Sequence, residues 1–95
     1  MHIITWSRIK AFYVRHPGAE APLRAWFKVI SAGHFGTHAE LKRAFGSVDK
    51  VADWYVFDIG GNKYRLIAYV RFDWHRCYIK HVLTHAEYDK GAWKR

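Results

Sequence analysis

The hydrophobic period of this chain changes once, near Trp54, and that change decides the fold class. From Trp54 onward Tyr55, Phe57 and Ile59 fall on one side of an extended chain, with Trp54, Val56 and Asp58 on the other. This is the alternation of a strand with a buried face. Gly60-Gly61 then supplies the positive φ angles of a tight hairpin turn, so a second strand runs from Asn62 to Phe72 and a third from Arg76 to Leu83. Read as a two-residue loop, Gly60-Gly61 sets Phe57 opposite Tyr64 and Tyr55 opposite Leu66. One face collects Tyr55, Phe57, Tyr64, Leu66, Ala68 and Val70 as core, and the other carries Lys63, Arg65, Tyr69 and Arg71. If Cys77, Ile79 and Leu83 turn inward, the third strand adds Tyr78 and Lys80 to that second face. Lys80 then lies across from Tyr69 and close to Arg65.

Ahead of Trp54 the period is helical. His2 to Thr5 is a short apolar, partly β-branched run, and Ser7 is placed to cap a helix carrying Ile9, Phe12 and Tyr13. Pro17-Gly18 breaks that helix. Leu23, Trp26, Phe27 and Ile30 then recur at the i, i+3, i+4, i+7 spacing of a second apolar stripe, which Gly33 and Gly36 end. Thr37-His38-Ala39-Glu40 and Thr84-His85-Ala86-Glu87 each read as a capping box, the first opening a short helix to Phe45 and the second a terminal helical turn. The expectation is one α+β domain over residues 1–95. An N-terminal strand and a helical hairpin pack on one face of a small, mainly antiparallel, twisted sheet, followed by a short C-terminal helix.

Charge narrows the function. The 95 residues hold 16 Lys and Arg against 8 Asp and Glu, a formal net charge of +8, so the surface should attract polyanions. The basic residues are interleaved with Tyr, Trp and Phe, a pattern that favours nucleic acid over lipid. Cys77 is the only cysteine, which excludes an intramolecular disulfide and fits a reducing compartment; its place on an alternating strand makes it a small buried hydrophobe rather than a nucleophile. The basic residues Arg8 and Lys10 arrive before any signal-type apolar run, and no stretch approaches the roughly 20 apolar residues of a membrane span. A cytoplasmic protein without a membrane partner is expected. His34 with His38 and His81 with His85 have i, i+4 spacing, but Gly36 interrupts the first pair and a strand end the second. Neither metal nor cofactor is expected.

Two segments carry a family resemblance. Asp58-Ile59-Gly60-Gly61-Asn62-Lys63-Tyr64-Arg65-Leu66-Ile67-Ala68 resembles the GGN-x-x-R hairpin of HigB-type toxins, and the run from Tyr78 to Lys90 resembles their last strand with its T-H-x-E-Y-D ending. The resemblance implies a RelE-like fold and metal-independent cleavage of messenger RNA, often on the ribosome. It also implies neutralisation by a HigA-like helix-turn-helix antitoxin, through which alone operator DNA would be met. Some relatives in the wider superfamily poison DNA gyrase instead, so a gyrase inhibitor or a non-catalytic nucleic-acid-binding module of the same fold stays open.

Cutting RNA without a metal requires a base for the 2′-hydroxyl proton, cations for the phosphate and an acid for the departing 5′-oxygen; the products are a 2′,3′-cyclic phosphate and a 5′-hydroxyl. Arg65 is the first candidate for the phosphate, because its fork matches two phosphate oxygens, with Lys80 sharing the charge. An imidazole suits proton transfer near neutral pH, so His85 is the candidate base or acid; Tyr88 donates a proton or stacks on a base. Asp89 orients a histidine or pairs with Lys90, both within the RNA-binding surface. Lys63 and Arg71 serve the RNA backbone, and Trp54, Tyr69 and Tyr78 offer rings for stacking. For each, a solvated charge or a core aromatic is the competing assignment.

Overall fold

A computed structural model describes residues 1–94, so Arg95 lies outside it. The elements run β1 (His2–Ile4), α1 (Trp6–Arg15), a 3-10 turn (Pro17–Ala19), α2 (Glu20–Ala32), α3 (His38–Ala44), β2 (Asp49–Val51), β3 (Trp54–Ile59), β4 (Tyr64–Arg71), β5 (Arg76–Thr84), α4 (His85–Lys90) and a 3-10 turn (Ala92–Lys94). The α+β arrangement agrees with the sequence reading. The short edge strand β2 was not anticipated, because three residues are too few to show an alternation.

One sheet holds all five strands in the order β1-β5-β4-β3-β2; β1 runs parallel to β5 and every other pair is antiparallel. The N-terminal ammonium donates to the carbonyls of Ser31 and Gly33, at 3.2 and 2.9 Å. It thereby places a cation on the carbonyl end of α2. The residue flanking α1 is Thr5, in a left-handed conformation with φ +75° and no side-chain cap. Ser7 therefore lies inside the helix and is not its cap, since the Arg8 amide already bonds to the Thr5 carbonyl.

Buried Ile9, Phe12 and Tyr13 of α1 and Leu23, Trp26 and Ile30 of α2 pack on one sheet face, against Phe57, Leu66, Ala68, Val70, Cys77 and Ile79. Burying each large apolar side chain contributes about 1.5–3 kcal/mol. Thr37 caps α3 by accepting from the Glu40 amide at 3.2 Å, but the Glu40 carboxylate reaches the Gly36 amide instead of closing a capping box. At α4 both arms of the box between Thr84 and Glu87 are present.

The β3–β4 register departs from the two-residue loop. Ile59 faces Tyr64, so the turn runs from Gly60 to Lys63, with Phe57 opposite Leu66 and Tyr55 opposite Ala68. Partners shift by two residues, an even number, so the expected core face survives. On β5 the departure matters more. Ile67 faces His81 while Ala68 faces Ile79, which leaves Lys80 as the extra residue of a bulge. Beyond the bulge the alternation inverts: Val82 packs on the main core, and Leu83, expected there, turns to the opposite face. Lys80 is likewise not across from Tyr69, whose partner is Tyr78.

The second sheet face is half covered. Val56, Ile67 and Trp93 are buried together there, with Val51, Trp54, Leu83 and Tyr88 packed around them. The segment after α4 folds back so that Trp93, 7% exposed, stacks on Tyr88 with ring centres 5.2 Å apart and donates its indole N–H to the Tyr88 carbonyl at 3.1 Å.

Candidate functional site

Covering half of the second face divides the expected site residues into two groups. Beneath α4, Arg65 is 8% exposed, where an exposed phosphate clamp was expected. Its Nε lies 3.1 Å from the Asp58 carboxylate, its Nη1 donates to the carbonyls of Asn62 and Tyr64, and its Nη2 donates to the Asn62 side chain. Three hydrogen bonds and the Asp58 ion pair hold the guanidinium within the protein. Arg65 braces the glycine turn and supports the Tyr88 ring, whose centre is 5.4 Å from its guanidinium carbon. Alternation put Arg65 on the second face correctly; the folding of α4 over it gives no periodic signal.

At the surface of α4, His85 Nδ1 and Asp89 Oδ2 are 2.7 Å apart, one helical turn from each other and partly exposed. With the Asp89 carboxylate beside Nδ1, Nε2 is the ring nitrogen left to act as a base. The His85 amide donates to the Lys63 carbonyl at 3.0 Å, which ties the start of α4 to the glycine turn. Tyr88, by contrast, turns toward the sheet. Burial, reinforced by Asp49, Asp58 and Asp89 and opposed by Arg65, raises its phenol above the ordinary tyrosine value, so it holds its proton at neutral pH. His85 and Tyr88 are therefore chemically distinct although they lie three residues apart.

On the open half of the same face stand Tyr69 and Tyr78, cross-strand partners with ring centres 6.3 Å apart. Trp54 meets Tyr69 edge-on at 6.2 Å, and Lys80 Nζ lies 5.6 Å from the Trp54 ring centre. Lys80 thus belongs to an aromatic platform and not beside Arg65, whose partner across β5 is Leu83. Farther along, Arg71 faces Arg76 and is held by Asp73 through two bonds of 3.0 and 2.7 Å. Beside α4, between the end of β5 and the tail, a cleft of ≈ 420 Å³ is lined by His81, Leu83, Glu87, Lys90, Ala92 and Trp93. Burial first, then Lys80 and Arg8, lowers the His81 pKa, which favours the neutral ring. The sequence offers His81 only as a metal ligand, by its spacing from His85; among the described residues no three His, Cys, Asp or Glu side chains are grouped to hold a metal.

The sequence profile of the family described as HigB_toxin, the RelE-like toxic component of a toxin-antitoxin system, matches residues 19–91. The chain belongs to the HigB toxin family. Among proteins similar to it, the mRNA interferase HigB of an Escherichia coli strain is 38% identical over 93 residues, covering 95% of this chain and 90% of that protein. The mRNA interferase HigB of Shigella flexneri is 40% identical over 92 residues, covering 94% and 88%. In this HigB-family chain the glycine turn, Arg65 and the T-H-x-E-Y-D segment, read separately in the sequence, meet at one place. Arg65 contacts Tyr88, and the His85 amide bonds to Lys63. Asp58 as the Arg65 counter-ion and Trp93 as the lid over Ile67 were missed, for neither contact follows from spacing along the chain.

Proposed function

We propose that this protein is the toxin of a toxin–antitoxin pair and an endoribonuclease that cleaves messenger RNA, acting as a single domain in the cytoplasm. What carries the reading is the His85–Asp89 pair on a helix beside a basic, aromatic sheet face, in a chain of the HigB family. His85 Nε2 takes the proton from the 2′-hydroxyl, which attacks the adjacent phosphorus. Lys80 and Lys90 hold the phosphate as charge builds, and Tyr88, its proton retained by burial, protonates the departing 5′-oxygen. The products are a 2′,3′-cyclic phosphate and a 5′-hydroxyl. Arg65 is a positioning residue in this scheme, since its donors are engaged within the protein. Trp54, Tyr69 and Tyr78 stack on bases, while Lys63 faces the backbone; Arg71 is already paired with Asp73.

The partners that fit this reading are messenger RNA on the translating ribosome and a HigA-like helix-turn-helix antitoxin, which alone brings the toxin to operator DNA. No described helix is long and apolar enough to cross a membrane. The test is expression of the wild type and of His85→Ala without antitoxin, with new 5′ ends mapped on cellular messages with and without translation. Cuts confined to translated messages and lost in the variant support the reading; growth arrest without new ends would overturn it and point to gyrase or another target. Cleavage by purified protein that survives EDTA would establish that the side chains suffice.

A further inference from the structure

The β4–β5 hairpin ends in an exposed tryptophan. Trp74 is 56% exposed, with the Arg71 guanidinium carbon 4.0 Å and the Arg76 guanidinium carbon 5.6 Å from its ring centre. Lone exposed apolar residues are ordinary, but this one is held in place. Asp73 accepts two hydrogen bonds along one edge of the Arg71 guanidinium, from Nε and Nη2, which orients the cation against the ring. His75 adopts a left-handed φ of +52°, its carbonyl accepts from the His2 amide at 2.8 Å, and its amide donates to Phe72. The first strand of the protein thus pins the turn that presents the ring.

We propose that Trp74 is a stacking site for an unpaired base of single-stranded RNA, remote from the cleavage site, with Arg76 taking the neighbouring phosphate. Three observations converge. Asp73 neutralises Arg71, while among the described residues no acidic side chain pairs with Arg76. Arg71 and Arg76 are cross-strand partners two residues beyond the Tyr69–Tyr78 pair, so the tip continues the platform of Trp54, Tyr69 and Tyr78 along one sheet face. A ring already ordered by its cations loses little freedom when a base lands on it. At about 3.3 Å per residue, Arg71 lies some 20 Å along β4 from Arg65, so the tip touches a nucleotide several steps from the bond being cut. It contributes binding and takes no part in the chemistry.

The inference rests on the RNA-cleaving reading, and its test separates the two. Fluorescent single-stranded 2′-O-methyl oligoribonucleotides, which lack the attacking hydroxyl, are titrated with wild type, Trp74→Ala, Trp74→Phe and Arg76→Glu, while cleavage kinetics are followed on ordinary RNA. Stacking on one base predicts about 10-fold weaker binding for Trp74→Ala and recovery of most of that loss by Trp74→Phe. KM should rise in Trp74→Ala with kcat held, and Arg76→Glu should weaken binding and flatten its salt dependence. Unchanged affinity and KM in Trp74→Ala, with the wild type still cutting RNA, would overturn this proposal alone and leave the tip to a protein partner. A wild type that neither binds nor cuts RNA would overturn both.

Discussion

The guanidinium carbon of Arg65 lies 5.4 Å from the centre of the Tyr88 ring, so a buried strand residue and the last helix are joined through a cation and an aromatic face. The same guanidinium pairs with Asp58 and closes the glycine turn through Asn62.

Arg65→Ala leaves that turn unbraced and the Asp58 carboxylate without its partner, and should destabilise the protein by about 2–4 kcal/mol. Arg65→Lys keeps the charge without the fork and should cost about 1–2 kcal/mol. Urea unfolding measures both; a stable Arg65→Ala protein would show the guanidinium to be peripheral.

The His85–Asp89 pair is partly exposed, and such pairs contribute about 0–1 kcal/mol. His85→Ala should therefore lower cleavage by about 10²–10⁴-fold with almost no change in urea midpoint. Asp89→Asn, which keeps the size but weakens the orienting acceptor, should lower cleavage less than His85→Ala does. Equal rates for wild type and Asp89→Asn would remove Asp89 from the mechanism.

Thr84 caps the helix that carries these residues, and Thr84→Ala should cost about 1 kcal/mol. The Thr84 amide, followed by its hydroxyl, holds the Glu87 carboxyl below its ordinary value of 4.5. A depressed carboxylate stabilises the fold above the unfolded value and loses that contribution as pH falls through the folded one. Stability should thus decline on acidification below about 4.5, with a shallower slope in Glu87→Gln; identical acid slopes would argue against the capping carboxylate.

Burial pushes the Cys77 thiol up from 9.0 to about 12, the N-terminal ammonium opposing. The native thiol keeps its proton where the unfolded one ionises, so this contribution is complete below pH 9 and is lost as pH rises toward 12. Iodoacetamide at pH 8 should label the urea-unfolded chain and spare the native one, a difference that mass spectrometry reads directly.

Most local patterns were legible, though Ser7 is not the cap of α1 and β2 was too short to show. Periods of two and 3.6 placed β3, β4, β5, α1 and α2, the Thr84-x-x-Glu87 box placed α4, and the T-H-x-E-Y-D segment brought His85, Tyr88 and Asp89 together. Each depends on residues within a turn or a strand length of one another. The even shift in the β3–β4 turn did no harm, because side chains two residues apart share a face. What the tertiary structure alone decided is set by partners distant along the chain. The bulge at Lys80 comes from pairing with β4, and it sent Leu83 to the second face. The packing of Trp93 over Val56 and Ile67 turned the expected open face into a half-covered one, and the Tyr88 ring of α4 lies over a buried Arg65. A face can be read from alternation; what comes to lie on it is decided by apolar side chains that have no fixed distance in sequence.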